Sequence, residues 1–407
     1  MDYTEIPGIL ANLRENWGKL ARELRYLRSR WFGLGRASHV VDGCRSQLTQ
    51  AMLELYRSRY ERAVQDIELP ERSTRLTLLT ATEWMPNRLL GIDDIHLELK
   101  NAQLPYATRN ATFADRLRDE LGRRVDNNTT FRLMRVESNT PSLRLSFSLG
   151  RYADYLNSSE ALTWELALAA RKFVGAGRTF EPRSVAESLA GVLPLRAQLD
   201  PFDFMNRSAA AGISTLTILA HSDHSRDVFL THLRGTRQAE GSGTLHVVPA
   251  GMFQPLNQDN AFAATEFSLR RNVLREFGEE LLDKEELIQE QGSVNPDQPF
   301  TEDSDLRALK DLFDTGGADL RFLGIGLDPV TLKPEILTLL IVDDDRRERL
   351  GIRYRSNWEG TYRVVAFSRL ELIRKLMDPL VLSAGAGCLL RAVLLFDEVQ
   401  SAVNELV

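Results

Sequence analysis

Hydrophobic positions near the start of the chain recur at helical spacing. The apolar residues fall alternately three and four positions apart, at Leu10, Leu13, Trp17, Leu20, Leu24, Leu27 and Trp31. This is the a/d pattern of a coiled-coil seam, and Gly33 and Gly35 are expected to end the helix that carries it. A second helical pattern over residues 47–66 completes a predicted helical hairpin at 1–67. The hairpin either packs on its own chain or forms a homodimer through the first helix, and the pattern leaves both open.

Residues 75–200 mix strand-like and helix-like patterns. Alternating apolar positions predict strands at 92–99, 130–136 and 143–149. Helical spacing predicts one helix at 113–124 and another that Ser158 and Glu160 cap and that runs through Ala170. The segment contains no recognisable catalytic motif, so we predict a mixed α/β region of unassigned role.

The remainder of the chain, residues 205–400, alternates strands and helices more clearly. Short apolar runs predict strands at 215–220, 227–234, 245–248, 320–326, 336–342 and 364–367. Helical patterns occupy 268–282, 306–313, 370–377 and 386–396, and an acidic loop is expected near 295–304. The whole pattern predicts an α/β (α+β) protein.

Composition narrows the classes of function and location. The 407 residues include 51 Lys and Arg and 57 Asp and Glu, a net charge of −6, which disfavours nucleic acid as a partner. Cys44 and Cys388 stand alone, without the cysteine and histidine clusters of zinc sites. No run reaches the roughly 18–20 apolar residues that cross a bilayer, and the first residues lack a signal-peptide pattern. We therefore expect a cytoplasmic protein without a membrane partner.

The candidate chemistry lies in the helical pattern at 268–282. Glu276, Glu279 and Glu280 are spaced i, i+3 and i+4, so a helix brings their carboxylates to one side. Such like charges repel each other, and a divalent cation relieves the repulsion. Mg²⁺ and Mn²⁺ prefer hard oxygen ligands of this kind. Arg275 precedes Glu279 by one helical turn and is placed to orient it.

Residues 275–280 resemble the signature helix of the Nudix superfamily. That helix carries Arg-Glu, an apolar residue, any residue and then Glu-Glu, matched here by Arg275-Glu276-Phe277-Gly278-Glu279-Glu280. Pro249 to Met252 stand where the family has a glycine-rich turn, and the resemblance extends over roughly 205–396.

The resemblance implies a C-terminal α/β/α sandwich and a metal-dependent hydrolase. Its substrate would be a nucleotide-like small molecule, a nucleoside diphosphate linked to another group through a phosphoanhydride. Mg²⁺ or Mn²⁺ would be held by Glu276, Glu279 and Glu280, with Arg275 orienting them. The backbone of Ala250, Gly251 and Met252 would border the phosphates. Glu359 would serve as an additional base or ligand, and Glu335 is a weaker candidate for that role.

An alternative function follows from the interval between Gly251 and Arg275. This interval is longer than the one typical of the family, and the family's intermediate glutamate falls at Phe267, next to Glu266. The alternative is a non-catalytic sensor or regulatory protein that binds a nucleotide ligand on a Nudix-like domain.

Overall fold

The computed structural model describes residues 34–102, 113–121, 127–139, 142–174, 181–197, 199–235, 243–257, 260–285, 295–357 and 360–407. The predicted first helix, with its coiled-coil seam, lies outside these residues, as does Glu359. The homodimer seam therefore stays a prediction.

The described chain begins with helix α1 (Leu34–Arg57), which departs from helical geometry at Cys44. A short 3₁₀ turn (Glu61–Ala63) and an antiparallel hairpin of β1 (Asp66–Leu69) and β2 (Arg72–Arg75) follow. The helix predicted over residues 47–66 is confirmed as far as Arg57, and its expected last turns, residues 58–66, are not α-helical. Gly35 lies within α1, and the helix that it was expected to end lies outside the described residues.

The middle region contributes the strand β3 (Leu90–Gly91) and a three-stranded sheet. In that sheet β4 (Ile95–Lys100) runs parallel to β6 (Ser142–Arg151), which pairs antiparallel with β5 (Thr129–Asn139). Helix α2 (Phe113–Leu121) stands between β4 and β5 in the chain. The strands predicted at 130–136 and 143–149 are confirmed, and the strand predicted at 92–99 is confirmed from Ile95, because residues 92–94 form a 3₁₀ turn. The helix predicted at 113–124 is confirmed as far as Leu121.

A continuous helical run follows β6 and corrects the predicted cap at Ser158. It consists of α3 (Tyr152–Tyr155), a π-helical turn (Leu156–Glu160) and α4 (Ala161–Val174). The Ser158 hydroxyl donates to the backbone oxygen of Asp154, one turn earlier (2.8 Å). A serine satisfied in this way sits inside a helix rather than at its start. Helices α5 (Pro182–Leu189) and α6 (Pro194–Ala197) complete the region.

A large mixed sheet organises the C-terminal half. Its remaining strands are β7 (Gly212–Ala220), β8 (Val228–Arg234), β9 (Leu245–His246), β10 (Ala250–Met252), β11 (Ala318–Leu327), β12 (Pro334–Asp343) and β13 (Gly360–Ala366). The order is β13-β8-β7-β12-β11-β3, with β10 paired to β7 and β9 paired to β8. Strands β7 and β12 are parallel, and the other pairs are antiparallel.

Helices cover both faces of this sheet. They are α7 (Asn260–Ala263), α8 (Leu269–Leu281), α9 (Gln298–Glu302), α10 (Ser304–Asp314), α11 (Asp344–Arg349), α12 (Arg369–Leu376), α13 (Ser383–Leu394) and α14 (Phe396–Leu406). Leu216 and Ile218 of β7 join an apolar core with α13 and α14, whereas Leu219 joins the core that contains α8. This period-two alternation places β7 between two helical layers. The predicted α/β class is confirmed, and α9 occupies part of the expected acidic loop.

The core that contains α8 also reaches across the predicted domain boundaries. Its members include Leu53 of α1, Phe147 of β6, Phe277 of α8 and Ile336 of β12. Strand β3 of the middle region pairs with β11 of the large sheet. In the described part of the chain, none of the helices is both long and apolar enough to cross a membrane.

Candidate functional site

Helix α8 carries the acidic residues and is anchored by a polar cap and an apolar side. The Ser268 hydroxyl accepts a hydrogen bond from the backbone of Arg271 (3.3 Å), which caps the first turn. Val273, Phe277 and Leu281 are buried in the core beneath the helix. The predicted helix at 268–282 is confirmed to within one residue at each end.

The charged residues of α8 are buried as well. The exposed fractions are 3% for Arg275, 9% for Glu276, 7% for Glu279 and 3% for Glu280. Buried charges are costly unless protein groups compensate them. The charged side chains of α8 are therefore buried against other parts of the protein and do not form an ordinary solvent-exposed helix face.

Arg275 supplies part of this compensation. Its Nη2 donates to Glu276 Oε1 (2.8 Å) and to Asn272 Oδ1 (3.0 Å), while Nη1 donates to the backbone oxygen of Gln254 (2.9 Å). Its Nε lies 3.8 Å from Glu279 Oε1. Burial lowers the pKa of Arg275, but the charges of Glu276 and Glu279 outweigh it and leave the pKa raised. Arg275 thus contacts Glu276 more closely than Glu279, the residue it was predicted to orient.

Strand β10 lies directly against the acidic side of α8. The Ala250 amide donates to Glu280 Oε2 (2.8 Å). A Cβ built on Gly251 would lie 2.1 Å from Glu276 Oε2, so only glycine leaves room for this carboxylate. The structure therefore brings Glu276 and Glu280 next to Ala250 and Gly251, although the two pairs are more than twenty residues apart in the sequence.

Glu280 also faces a histidine that sequence reasoning did not single out. His232 of β8 is 1% exposed, and its Nδ1 lies 3.8 Å from Glu280 Oε1. Burial, followed by the charge of Arg234, lowers the pKa of His232 to about 4, against a partial opposing effect of the Gly360 backbone. A single histidine in an apolar strand carries no spacing signal, so the sequence alone could not link it to α8.

Within the long interval between Gly251 and Arg275, Glu266 holds the segment that follows β10. This carboxylate accepts hydrogen bonds from the backbones of Leu256 (2.7 Å) and Asn257 (3.0 Å), and from the Asn257 amide side chain (2.7 Å). The acid that seemed one position out of register in the sequence therefore fixes the loop between β10 and α8.

The middle region contacts the same loop through four aromatic rings. Phe253 and Phe267 of the loop pack against Phe131 of β5 and Phe147 of β6, with ring centroids 4.6–5.5 Å apart. The Phe131 amide donates to the Phe253 backbone oxygen (3.0 Å). The loop after Gly251 is thus shaped by the middle region, which the sequence had left without a role.

The C-terminal end of α8 is held by the segment before β13. The Asn357 side-chain amide donates to the Glu279 backbone oxygen, and the Arg355 amide donates to the Leu281 oxygen, both at 2.8 Å. Glu335 of β12 is buried, lies 2.9 Å from Lys333 Nζ, and accepts a hydrogen bond from Ser214 Oγ (3.1 Å). An ion pair and a hydroxyl therefore already engage Glu335.

A second polar cluster stands where the parallel strands β7 and β12 end. His221 Nδ1 lies 3.2 Å from Asp345 Oδ1, and its Nε2 lies 3.5 Å from Asp344 Oδ2. Arg347 donates to both oxygens of Asp344, at 2.7 and 2.8 Å. Because its charges are paired internally, this cluster is explained by its own hydrogen bonds.

The donor chemistry on α8 suits a hard divalent cation. Three carboxylates supply the oxygen ligands that Mg²⁺ and Mn²⁺ prefer, and the missing Cβ at Gly251 leaves room for Glu276. Among the residues that the structure describes, no group of three or more His, Cys, Asp or Glu side chains is arranged to hold a metal ion. The residue types fit the metal, and its binding stays a prediction.

Comparison with known proteins adds no family. A scan against protein-family models and a search of curated proteins both find no match to this chain.

Proposed function

We propose that the protein is a divalent-metal-dependent hydrolase of the Nudix type. Its substrate would be a nucleoside diphosphate linked to another group through a phosphoanhydride. The observation that carries the proposal is the docking of the acidic side of α8 on β10. Glu280 accepts from the Ala250 amide, and Glu276 lies over Gly251.

The proposed reaction assigns a role to the three glutamates, to Arg275, to the backbone of β10 and to Glu359. Glu276, Glu279 and Glu280 would hold Mg²⁺ or Mn²⁺. When bound, this ion would neutralise charge on the phosphates and lower the pKa of the attacking water. Arg275 positions Glu276 through their hydrogen bond (2.8 Å). The backbone of Ala250 to Met252 would border the phosphates, and Glu359 would act as an additional base or ligand.

The proposed setting is a cytoplasmic homodimer. Cys44 and Cys388 are both unpaired thiols, which is typical of a reducing compartment. The proposed contact between subunits is the a/d seam between Leu10 and Trp31, because its apolar positions continue over three heptads.

A second candidate function is binding of a nucleotide-like ligand without hydrolysis. The observation that favours it is the set of protein partners on the acids, since Arg275 engages Glu276 and the Ala250 amide engages Glu280. The packing of the middle region on the loop after β10 would then connect ligand binding to the rest of the chain.

One experiment separates the two candidates. The protein is incubated with a panel of dinucleoside polyphosphates and nucleotide sugars in the presence of Mg²⁺ or Mn²⁺, and phosphate-containing products are measured. Hydrolysis by the wild type that Glu280→Gln abolishes supports the enzyme. A raised melting temperature with intact ligand supports the sensor, because a ligand that binds only the folded state stabilises it. If no compound in the panel is hydrolysed and none raises the melting temperature, both candidates are contradicted.

A further inference from the structure

His232 is a buried polar group that the proposed function does not yet use. Its side chain is 1% exposed, and within the described part of the chain neither ring nitrogen has a hydrogen-bond partner of good geometry. Burying such a group without a partner is unfavourable, and an apolar side chain would avoid the cost. A histidine at this position therefore calls for a functional reason.

The surroundings confine the imidazole between two groups. On one side, Nδ1 lies 3.8 Å from Glu280 Oε1. On the other, a Cβ built on Gly360 of β13 would lie 2.5 Å from Nε2, so glycine leaves room for the ring. An imidazole carries one N–H donor when neutral and two when protonated, so in either state Nδ1 is able to donate toward Glu280.

We propose that His232 is a positioning residue for Glu280, acting on one carboxylate oxygen while the Ala250 amide holds the other. His232 Nδ1 faces Oε1 from 3.8 Å, an electrostatic contact longer than a hydrogen bond, and the Ala250 N–H binds Oε2 at 2.8 Å. A carboxylate that has a polar neighbour at each oxygen is limited in its rotation and keeps the orientation in which it would meet a metal ion. This inference rests on the proposed function, because it assigns His232 a role behind one of the proposed metal ligands.

The strand opposite His232 provides a matched control. His246 of β9 faces His232 across the β8–β9 pair and is also buried. Its Nδ1, however, lies 3.0 Å from the Val247 backbone oxygen and donates to it. His246 therefore has a local partner and is not needed to restrain Glu280.

The test is Mn²⁺ binding to the full chain at constant pH, measured by electron paramagnetic resonance. The variants are His232→Asn, whose amide nitrogen replaces Nδ1, and His232→Gln, whose amide nitrogen lies nearer Nε2. Loss of a group that orients a metal ligand typically weakens metal binding about tenfold or more. We expect that loss in His232→Gln, near-normal affinity in His232→Asn, and near-normal affinity in the control His246→Asn. Circular dichroism checks that each variant is folded.

The outcomes are distinguishable from one another. Equal Mn²⁺ affinity in the wild type and in folded His232→Gln would overturn the role of His232 while leaving the metal site intact. Equal losses in His232→Asn and His232→Gln would also overturn it, because the ring would then matter only for packing. A wild type that binds no Mn²⁺ would overturn the proposed function, and this inference with it.

Discussion

Glu276 lies so close above Gly251 that a Cβ on the glycine would stand 2.1 Å from the Glu276 carboxylate. Gly251→Ala therefore forces the carboxylate or β10 to move. We expect a loss of about 1–3 kcal/mol in the free energy of unfolding, as for other overpacked sites. We also expect at least a tenfold loss of Mn²⁺ affinity. Urea unfolding and Mn²⁺ titration measure the two effects.

Gly191→Ala is the control for this substitution. A Cβ there meets nothing within 4 Å, and the glycine has no left-handed φ. It should leave both Mn²⁺ affinity and the packing around α8 unchanged. A Gly251→Ala protein with normal stability and normal Mn²⁺ affinity would contradict the close approach of Glu276.

Arg275 and Arg270 stand on the same helix but are expected to differ in importance. Arg275 is buried with Glu276 and Glu279, whereas Arg270 makes an exposed ion pair with Asp93 (2.9 Å). Breaking a buried pair leaves its partner uncompensated and costs about 3–5 kcal/mol, while exposed pairs contribute about 0–1 kcal/mol.

The measurement compares Arg275→Met with Arg270→Met by urea unfolding at neutral pH. We expect a large loss of stability for the first variant and a small change for the second. Similar small changes in both would show that Arg275 does not stabilise the acidic side of α8.

The pKa of His232 predicts a dependence of stability on pH. Burial lowers this pKa from 6.5 to about 4, so between these pH values the unfolded chain binds a proton that the folded chain does not. Stability contributed by the neutral ring is present above pH 6.5 and is lost as the pH falls toward 4. The loss amounts to about 3 kcal/mol.

This contribution is isolated by comparing the wild type with His232→Asn. The unfolding free energy of the wild type should fall relative to that of the variant between pH 7 and pH 4, because only the wild type carries the titrating ring. Titratable groups that are distant from His232 are present in both proteins and cancel in the difference. Parallel curves would contradict the lowered pKa.

The aromatic cluster predicts that the middle region supports the candidate site. Phe147→Ala removes a buried ring that contacts Phe253 and Phe267 of the loop before α8. We expect a loss of about 3–5 kcal/mol in stability, together with weaker Mn²⁺ binding, because the loop loses its support.

Leu389→Ala provides the comparison. Leu389 of α13 is fully buried in the core on the opposite face of the large sheet. Its truncation should cost about 2–5 kcal/mol without changing Mn²⁺ affinity under conditions where the protein is folded. Equal effects of the two variants on Mn²⁺ binding would argue against a specific link from Phe147 to the site.

The sequence was most informative where structure depends on local periodicity. The spacing along 268–282 predicted α8, and the alternation at 320–326 and 336–342 predicted the β11–β12 pair. Helix ends were predicted less well: the helix predicted to reach residue 66 ends at Arg57, and Ser158 lies inside a helical run, where its hydroxyl donates to the Asp154 backbone oxygen.

Contacts between distant segments could not be predicted from these patterns. His232 and Glu280 are separated by nearly fifty residues, and the order of the strands brings them together. The burial of the α8 acids likewise depends on β10 and Arg275, and the local charge pattern does not reveal these contacts. Strand β3 is only two residues long and has too little alternation to be recognised.

The short pairing of β3 with β11 bears on how this chain can be divided. Leu79 and Leu327 also exchange backbone hydrogen bonds (3.0 and 2.8 Å), and Thr80 Oγ1 donates to the Ile325 oxygen (2.8 Å). A fragment that starts at residue 205 would lack β3, Leu79 and Thr80, so their partner groups on β11 would form an exposed sheet edge. Exposed edge strands pair with neighbouring molecules, so such a fragment should aggregate under conditions where the longer chain does not. Residues 205–407 therefore should not behave as an independently folding domain.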